Sequence, residues 1–173
     1  MDPIKLYHVS EDPDIKVFEP RPTPSDYDAI NNDVVFAVSD EFLHNYLLPR
    51  DCPRVTYYAN DNSSMEDINT FMGQSDADYI VTIESKWESA INETTLYCYE
   101  FPAEGFSLLD ENAGYYISHK SVTPISVRTI TDIRKEISSR NVKLRFMSSL
   151  FDLAERIQRS SLKFSLIRMR NAS

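Results

Sequence analysis

Short apolar runs, each closed by proline or by a cluster of polar residues, recur along this chain, and they restrict it to a fold of brief strands with helices between them. Leu6-Tyr7-His8-Val9-Ser10, preceded by Ile4, is the first of these runs, and Val34–Val38, Val55–Ala59, Tyr79–Ile83, Leu96–Phe101 and Ser126–Ile130 follow. In the first run alternation aims the imidazole of His8 one way and Tyr7 and Val9 the other. Between the first two runs, Val17-Phe18-Glu19-Pro20-Arg21-Pro22-Thr23-Pro24 reads as a stiff extended loop, because three closely spaced prolines fix φ and remove backbone donors.

Helix signals separate the runs. Ser39-Asp40-Glu41 sets a capping side chain and two acids ahead of Phe42, Leu43, Tyr46 and Leu47, in a helix that ends by Pro49. Ser63-Ser64-Met65-Glu66 resembles a capping box leading into a short helix through Met72, and Thr131-Asp132 starts another. Leu144, Met147, Phe151, Ala154 and Ile157 recur at three- and four-residue spacing, which predicts an amphipathic helix over 143–159 with Arg145, Arg156 and Arg159 on its outer face. The expected class is α+β, with two small, mostly antiparallel sheets around a cleft. The expected organisation is a domain over residues 1–133 and a basic helical extension over 134–173 packed on it.

Charge follows the same division. Residues 1–133 hold 8 Lys+Arg against 24 Asp+Glu, and 134–173 hold 10 against 3. An overall isoelectric point near 4.8 argues against nucleic-acid binding by the body, since phosphate contacts need cationic faces. Only three glycines are present, and neither GxGxxG nor GxxxxGK[ST] occurs, so Rossmann and P-loop sites are excluded. Cys52 and Cys98 form no CxxC, and His8, His44 and His119 show neither HxH nor HxxxH spacing, so no metal site is expected. The cysteines read as free thiols of a reducing cytoplasm. No leader and no membrane span is expected, since no window approaches 18 apolar residues. Arg50-Asp51-Cys52-Pro53-Arg54 either grips an anion or ties its own loop down.

The order LYHVS, then VVFAVS capping a helix, then YYISHKSVTPISVRTITD resembles the ADP-ribosyltransferase superfamily over roughly residues 4–131. The rifampin ADP-ribosyltransferases and the poly(ADP-ribose) polymerase-like group, with motif order histidine, tyrosine, acid, are the nearest in character. The chain also looks like a member of a small, uncharacterised bacterial family of about this length that shares the HVSE…P and PRDCPRV signatures. The superfamily resemblance implies NAD as substrate, or NAD or ADP-ribose as ligand, with an unknown acceptor and no metal.

By that resemblance, the first-strand histidine, here His8, hydrogen-bonds a ribose hydroxyl of NAD, and Ser10 is counted with it at the cofactor. The second motif supplies an aromatic that stacks on nicotinamide. Strict alignment puts Val35 there and a one-residue slip offers Phe36, the preferred candidate, although a slip reverses the face. The third motif supplies an acid that stabilises the oxocarbenium-like state as nicotinamide leaves. Its place in the polymerase-like pattern falls at Gly114 or Tyr115, neither acidic. The rifampin-transferase pattern points instead to the preceding loop, to Asp110 or Glu111, with Glu111 preferred as the catalytic residue; Glu84 and Glu100 are further candidates. Two functions therefore stand: a cytoplasmic ADP-ribosyltransferase, or a catalytically silent nucleotide-binding or protein-interaction module on the same fold.

Overall fold

The computed structural model describes residues 2–22 and 32–173. Thr23 and Pro24 of the proline-rich loop lie outside the described residues. The chain divides into two compact units, the first made of residues 1–43 and 96–130, the second of 44–95 and 131–173. The class is mixed α+β with two sheets, one of six strands and one of four.

The first unit holds the six-stranded sheet: β1 (Leu6–Ser10), β2 (Val35–Ser39), β5 (Leu96–Phe101), β6 (Ser107–Asp110), β7 (Tyr115–Ser118) and β8 (Ser126–Ile130), in the order β6-β7-β2-β1-β5-β8. Counted within the unit, that order is 4-5-2-1-3-6, and every pairing is antiparallel. Alternation decides its two faces. Leu6 lies opposite Phe101 and His8 opposite Tyr99, so these side chains share one face, while Tyr7, opposite Val38 and Glu100, belongs to the other. On the Leu6 face Val35, Ala37, Tyr99 and Phe101 pack with Phe18 and Val122 into a buried core. The segment before Phe18 is tied down by Tyr99, whose hydroxyl donates to the Asp12 carbonyl at 2.5 Å and accepts from the Ile15 amide at 3.1 Å. Phe18 then bridges Val122 and Arg21 bridges Val34, which gives the described part of the loop the expected extended form.

The second unit holds β3 (Arg54–Tyr58), β4 (Tyr79–Glu84), β9 (Val142–Met147) and β10 (Lys163–Ile167) in the order β10-β3-β4-β9, with β4 and β9 parallel. Helix α1 (Met65–Asp67) starts one residue later than the box over 63–66 implies, capped by Ser64, whose hydroxyl accepts the Asp67 amide, and it runs on as a π-helical turn, Ile68–Met72. The unit also contains α2 (Glu88–Glu93), α3 (Ile133–Ser138), capped by Asp132, and α4 (Phe151–Gln158). Val55, Tyr57 and Ile80 of the sheet bury against Leu150, Leu153, Ala154, Ile157, Phe71 and Met72.

The expected helix over 143–159 is corrected. Residues 142–147 form a strand, because Val142-Lys143-Leu144-Arg145-Phe146-Met147 alternates apolar and polar positions until its last residue and pairs in register with β4. The expected helical extension thus mixes helix with two strands, β9 and β10, at the two edges of the second unit's sheet. Of the expected stripe, Ala154 and Ile157 are buried on α4 while Phe151 is 54% exposed. The arginines differ too. Arg156 and Arg159 pair with Asp152 and Glu155 one turn back on α4 itself, and Arg145 donates to the Phe71 and Met72 carbonyls, closing the end of the π-helical turn. The helix expected after Ser39 is present as a tighter 3-10 helix, Asp40–Tyr46. No helix among the described residues is long and apolar enough to cross a membrane.

Candidate functional site

β1 places His8 in the middle of the six-stranded sheet, half-buried, on the face that carries Leu6 and Ser10. Its ring lies 4.8 Å from the Phe18 ring and stacks at 5.9 Å, 25° from parallel, on Phe101. Nδ1 sits 3.3 Å from the Phe36 carbonyl oxygen. A carbonyl only accepts, so the contact is a hydrogen bond in the forms of the ring that carry a proton on Nδ1. Two aromatic rings and one backbone acceptor therefore hold the plane of the imidazole. Ser10, on the same face, accepts the Asp12 amide at 3.1 Å and shapes the turn that leaves the strand.

Phe36 contributes its carbonyl to His8 but not its ring. Tyr7 faces Val38, so Phe36, two residues from Val38, projects from the face opposite to His8; Val35 shares the His8 face and is buried in its core. The sheet thus brings His8 and Ser10 together and sends the Phe36 ring the other way.

The acid position is decided by close packing. The β2–β7 register continues past Tyr115, with the Ser39 amide donating to the Gly114 carbonyl at 2.9 Å, so Gly114, Ser39 and Leu6 form a row across three strands. A side chain at 114 would project onto the His8 face, roughly 12 Å from His8 as judged from strand spacing and rise. Gly114 has none, and it adopts φ +64°. A Cβ there would lie 2.5 Å from Ser39 Oγ and 2.5 Å from Phe42 Cδ2. Tyr115 pairs with Val38 and projects to the opposite face.

The other carboxylates are held elsewhere. Asp110 accepts the Asn112 and Ala113 amides through Oδ1 and builds the β6–β7 turn. Glu111 occupies that turn, exposed, its carbonyl accepting the Gly114 amide at 3.4 Å. Glu100 faces Tyr7 and accepts from Ser126 Oγ at 3.5 Å on the face away from His8.

Glu84 belongs to the second unit, at the end of β4, fully buried. One oxygen accepts the Ser173 amide at 3.0 Å and the other lies 3.6 Å from Lys86 Nζ.

The PRDCPR segment resolves to a structural role at Arg54, which sequence reasoning left open. Its guanidinium is 2% exposed and donates to the carbonyls of Asn45, Pro49, Arg50 and Cys52. It is a clamp for its own loop, and burial lowers its pKa to about 10. The adjacent Cys52 thiol is pushed up to about 11, first by burial, which makes it a poor nucleophile. A shallow depression of about 350 Å³ in the second unit is lined by Ile91, Asn92, Ile133 and Arg134 among others. The Arg134 guanidinium there already bonds Glu88 and Asn92 and lies 5.0 Å over the Phe146 ring. Among the described residues no group of three or more His, Cys, Asp or Glu side chains could hold a metal ion.

A family model, a family of unknown function (DUF6886), matches residues 7–172, and the chain belongs to that family. No curated protein and no solved structure matches the chain.

Proposed function

We propose that this DUF6886 protein binds NAD or an ADP-ribose ligand on the His8 face of its first unit, and that it does so without efficient ADP-ribosyl transfer. The observation that carries the reading is the held imidazole. A ring packed against Phe18 and Phe101, with Nδ1 3.3 Å from the Phe36 carbonyl oxygen, is an imidazole of fixed plane at the strand position where the resemblance sets the histidine that meets a ribose hydroxyl. The glycine at 114 supports the silent form of the function. Where the polymerase-like pattern sets its acid, a side chain would meet Ser39 and Phe42, and Glu111, in the exposed turn, is the residue on which any nicotinamide release is expected to depend.

Electrostatics set the expected strength. The first unit holds 5 Lys+Arg against 14 Asp+Glu, while the second balances 13 against 13. The whole net charge of −9 therefore sits on the unit assigned to an anionic ligand, and binding is expected to be weak and not to fall as salt is raised. The same reading places the protein in the cytoplasm, where NAD is available and Cys52 and Cys98 stay reduced. Titration calorimetry with NAD, ADP-ribose and nicotinamide at millimolar concentration tests it. Heat with the first two is expected, and His8→Ala should weaken binding about ten- to a hundredfold, the cost of leaving a ligand hydroxyl unpaired. No heat with any of the three refutes the reading. Nicotinamide release that Glu111→Gln abolishes would make the protein an NAD-cleaving enzyme instead, the ADP-ribosyl group passing to water or to an acceptor.

A further inference from the structure

The six-stranded sheet ends on β8, and this edge differs from the other three sheet edges. Ser126, Val127, Arg128 and Thr129 are exposed in succession, with Val127 49% and the preceding Ile125 64% exposed. By contrast, β9 and β10 are mostly half-buried, and β6 is a four-residue strand with an irregular register. A long uncovered edge is a template for another strand.

Which backbone groups face outward follows from the ladder. The Asp40 amide donates to the Lys5 carbonyl, continuing the register that sets Leu6 opposite Ser39, so Lys5, Tyr7 and Val9 turn their backbone groups to β2. Leu6, His8 and Ser10 therefore turn theirs to Phe101, Tyr99 and Tyr97. That leaves Leu96, Cys98 and Glu100 to bond β8 through Ile130, Arg128 and Ser126. The N–H and C=O groups of Val127 and Thr129 point away from the sheet.

We propose that β8 pairs antiparallel with β8 of a second copy of this chain, about a two-fold axis at Val127. In that register Val127 meets Val127, and each forms both hydrogen bonds of the central pair. Ser126 of one copy lies opposite Arg128 of the other.

Charge selects this register. Ser126 stands beside Glu100 on the same face, its hydroxyl 3.5 Å from Oε2. Arg128 of the second copy therefore extends over a small serine toward a carboxylate roughly 10 Å away between Cα atoms, a span the two long side chains cover. The two-fold axis makes this contact twice. Shifting the axis by one residue to Arg128 sets two guanidinium groups directly opposite each other, and shifting it to Ser126 shortens the overlap of the two strands. The surface thus complements itself and specifies a second copy rather than an arbitrary extended peptide.

Sedimentation velocity and light scattering on the full chain, from micromolar to several hundred micromolar, test the proposal. The expected mass is twice the 20.0 kDa of one chain. Val127→Pro removes an N–H that bonds nothing among the described residues and should raise the dimer dissociation constant about a hundredfold, the consequence of two lost interchain hydrogen bonds. Arg128→Glu should also dissociate the dimer by setting a second carboxylate against Glu100, and Glu100→Arg added to it should restore association. Circular dichroism and thermal melts confirm that each variant is folded; should Val127→Pro not fold, the charge-swap series reads the same contact. A wild-type chain that stays monomeric throughout the range overturns the proposal, as does a dimer that survives both single substitutions.

Discussion

Gly114→Ala is the sharpest test of why the expected acid is absent from the His8 face. Two costs combine at this position. At φ +64° an L side chain meets its own backbone, which costs about 1–2 kcal/mol. The new Cβ would also stand 2.5 Å from Ser39 Oγ and Phe42 Cδ2 and 3.2 Å from Phe42 Cβ. The serine hydroxyl can rotate aside, but Phe42 is 5% exposed, and making room for a methyl group beside it is an overpacking cost of about 1–3 kcal/mol. The expected loss is about 2–5 kcal/mol, read from urea denaturation as a lower midpoint at unchanged slope. Gly105→Ala supplies the control, since Gly105 has φ +86° but no atom within 4 Å of its would-be Cβ, and it should lose only the backbone share. If Gly114→Ala costs no more than Gly105→Ala, the steric argument is wrong. A Gly114→Glu chain that folded normally and released nicotinamide would refute it from the functional side.

Arg54→Met should lower stability by about 3–5 kcal/mol in thermal or urea melts, because the buried carbonyls of Asn45, Pro49 and Cys52 lose their donors together; a loss below about 1 kcal/mol would mean the loop is held by other contacts. Cys52 makes a pH prediction of definite sign. Its folded thiol titrates at about 11 against 9.0 for the free group, so above pH 9 the unfolded chain releases its proton first. The stabilising contribution is complete below pH 9 and is lost as pH rises to 11, by at most about 2–3 kcal/mol. Urea midpoints of wild type and Cys52→Ala should therefore converge over that interval, and parallel pH profiles would contradict the assignment. Cys52 and Cys98, both buried, should react with a thiol reagent at pH 8 only after denaturation.

What the sequence determined by itself is local. Short apolar or alternating runs at LYHVS, VVFAVS, VTYY, YIVTI, LYCYEF and SVRTI were enough to locate six strands, and the serines at 63–64 and Asp132 announced helix starts by their capping chemistry. The same alternation places His8 and Phe36 on definite faces of their own strands, but not relative to each other. Only the pairing of Tyr7 with Val38 showed that the two side chains leave the sheet in opposite directions, because a register shift of one residue would have reversed the answer. Residues 143–147 fit both patterns along the chain, since Leu144 and Met147 satisfy helical spacing while 142–146 alternate, and pairing with the edge of β4 decided between the two. The sequence left Arg54 between gripping an anion and tying its loop, and it read 126–130 as a strand without placing it at an edge; tertiary structure surrounded Arg54 with carbonyls, pressed Phe42 against Gly114 and put β8 at the end of its sheet. Local preferences act over a few residues and can be read along the chain, whereas burial, facing and close contact arise between segments far apart in sequence and exist only once those segments have met.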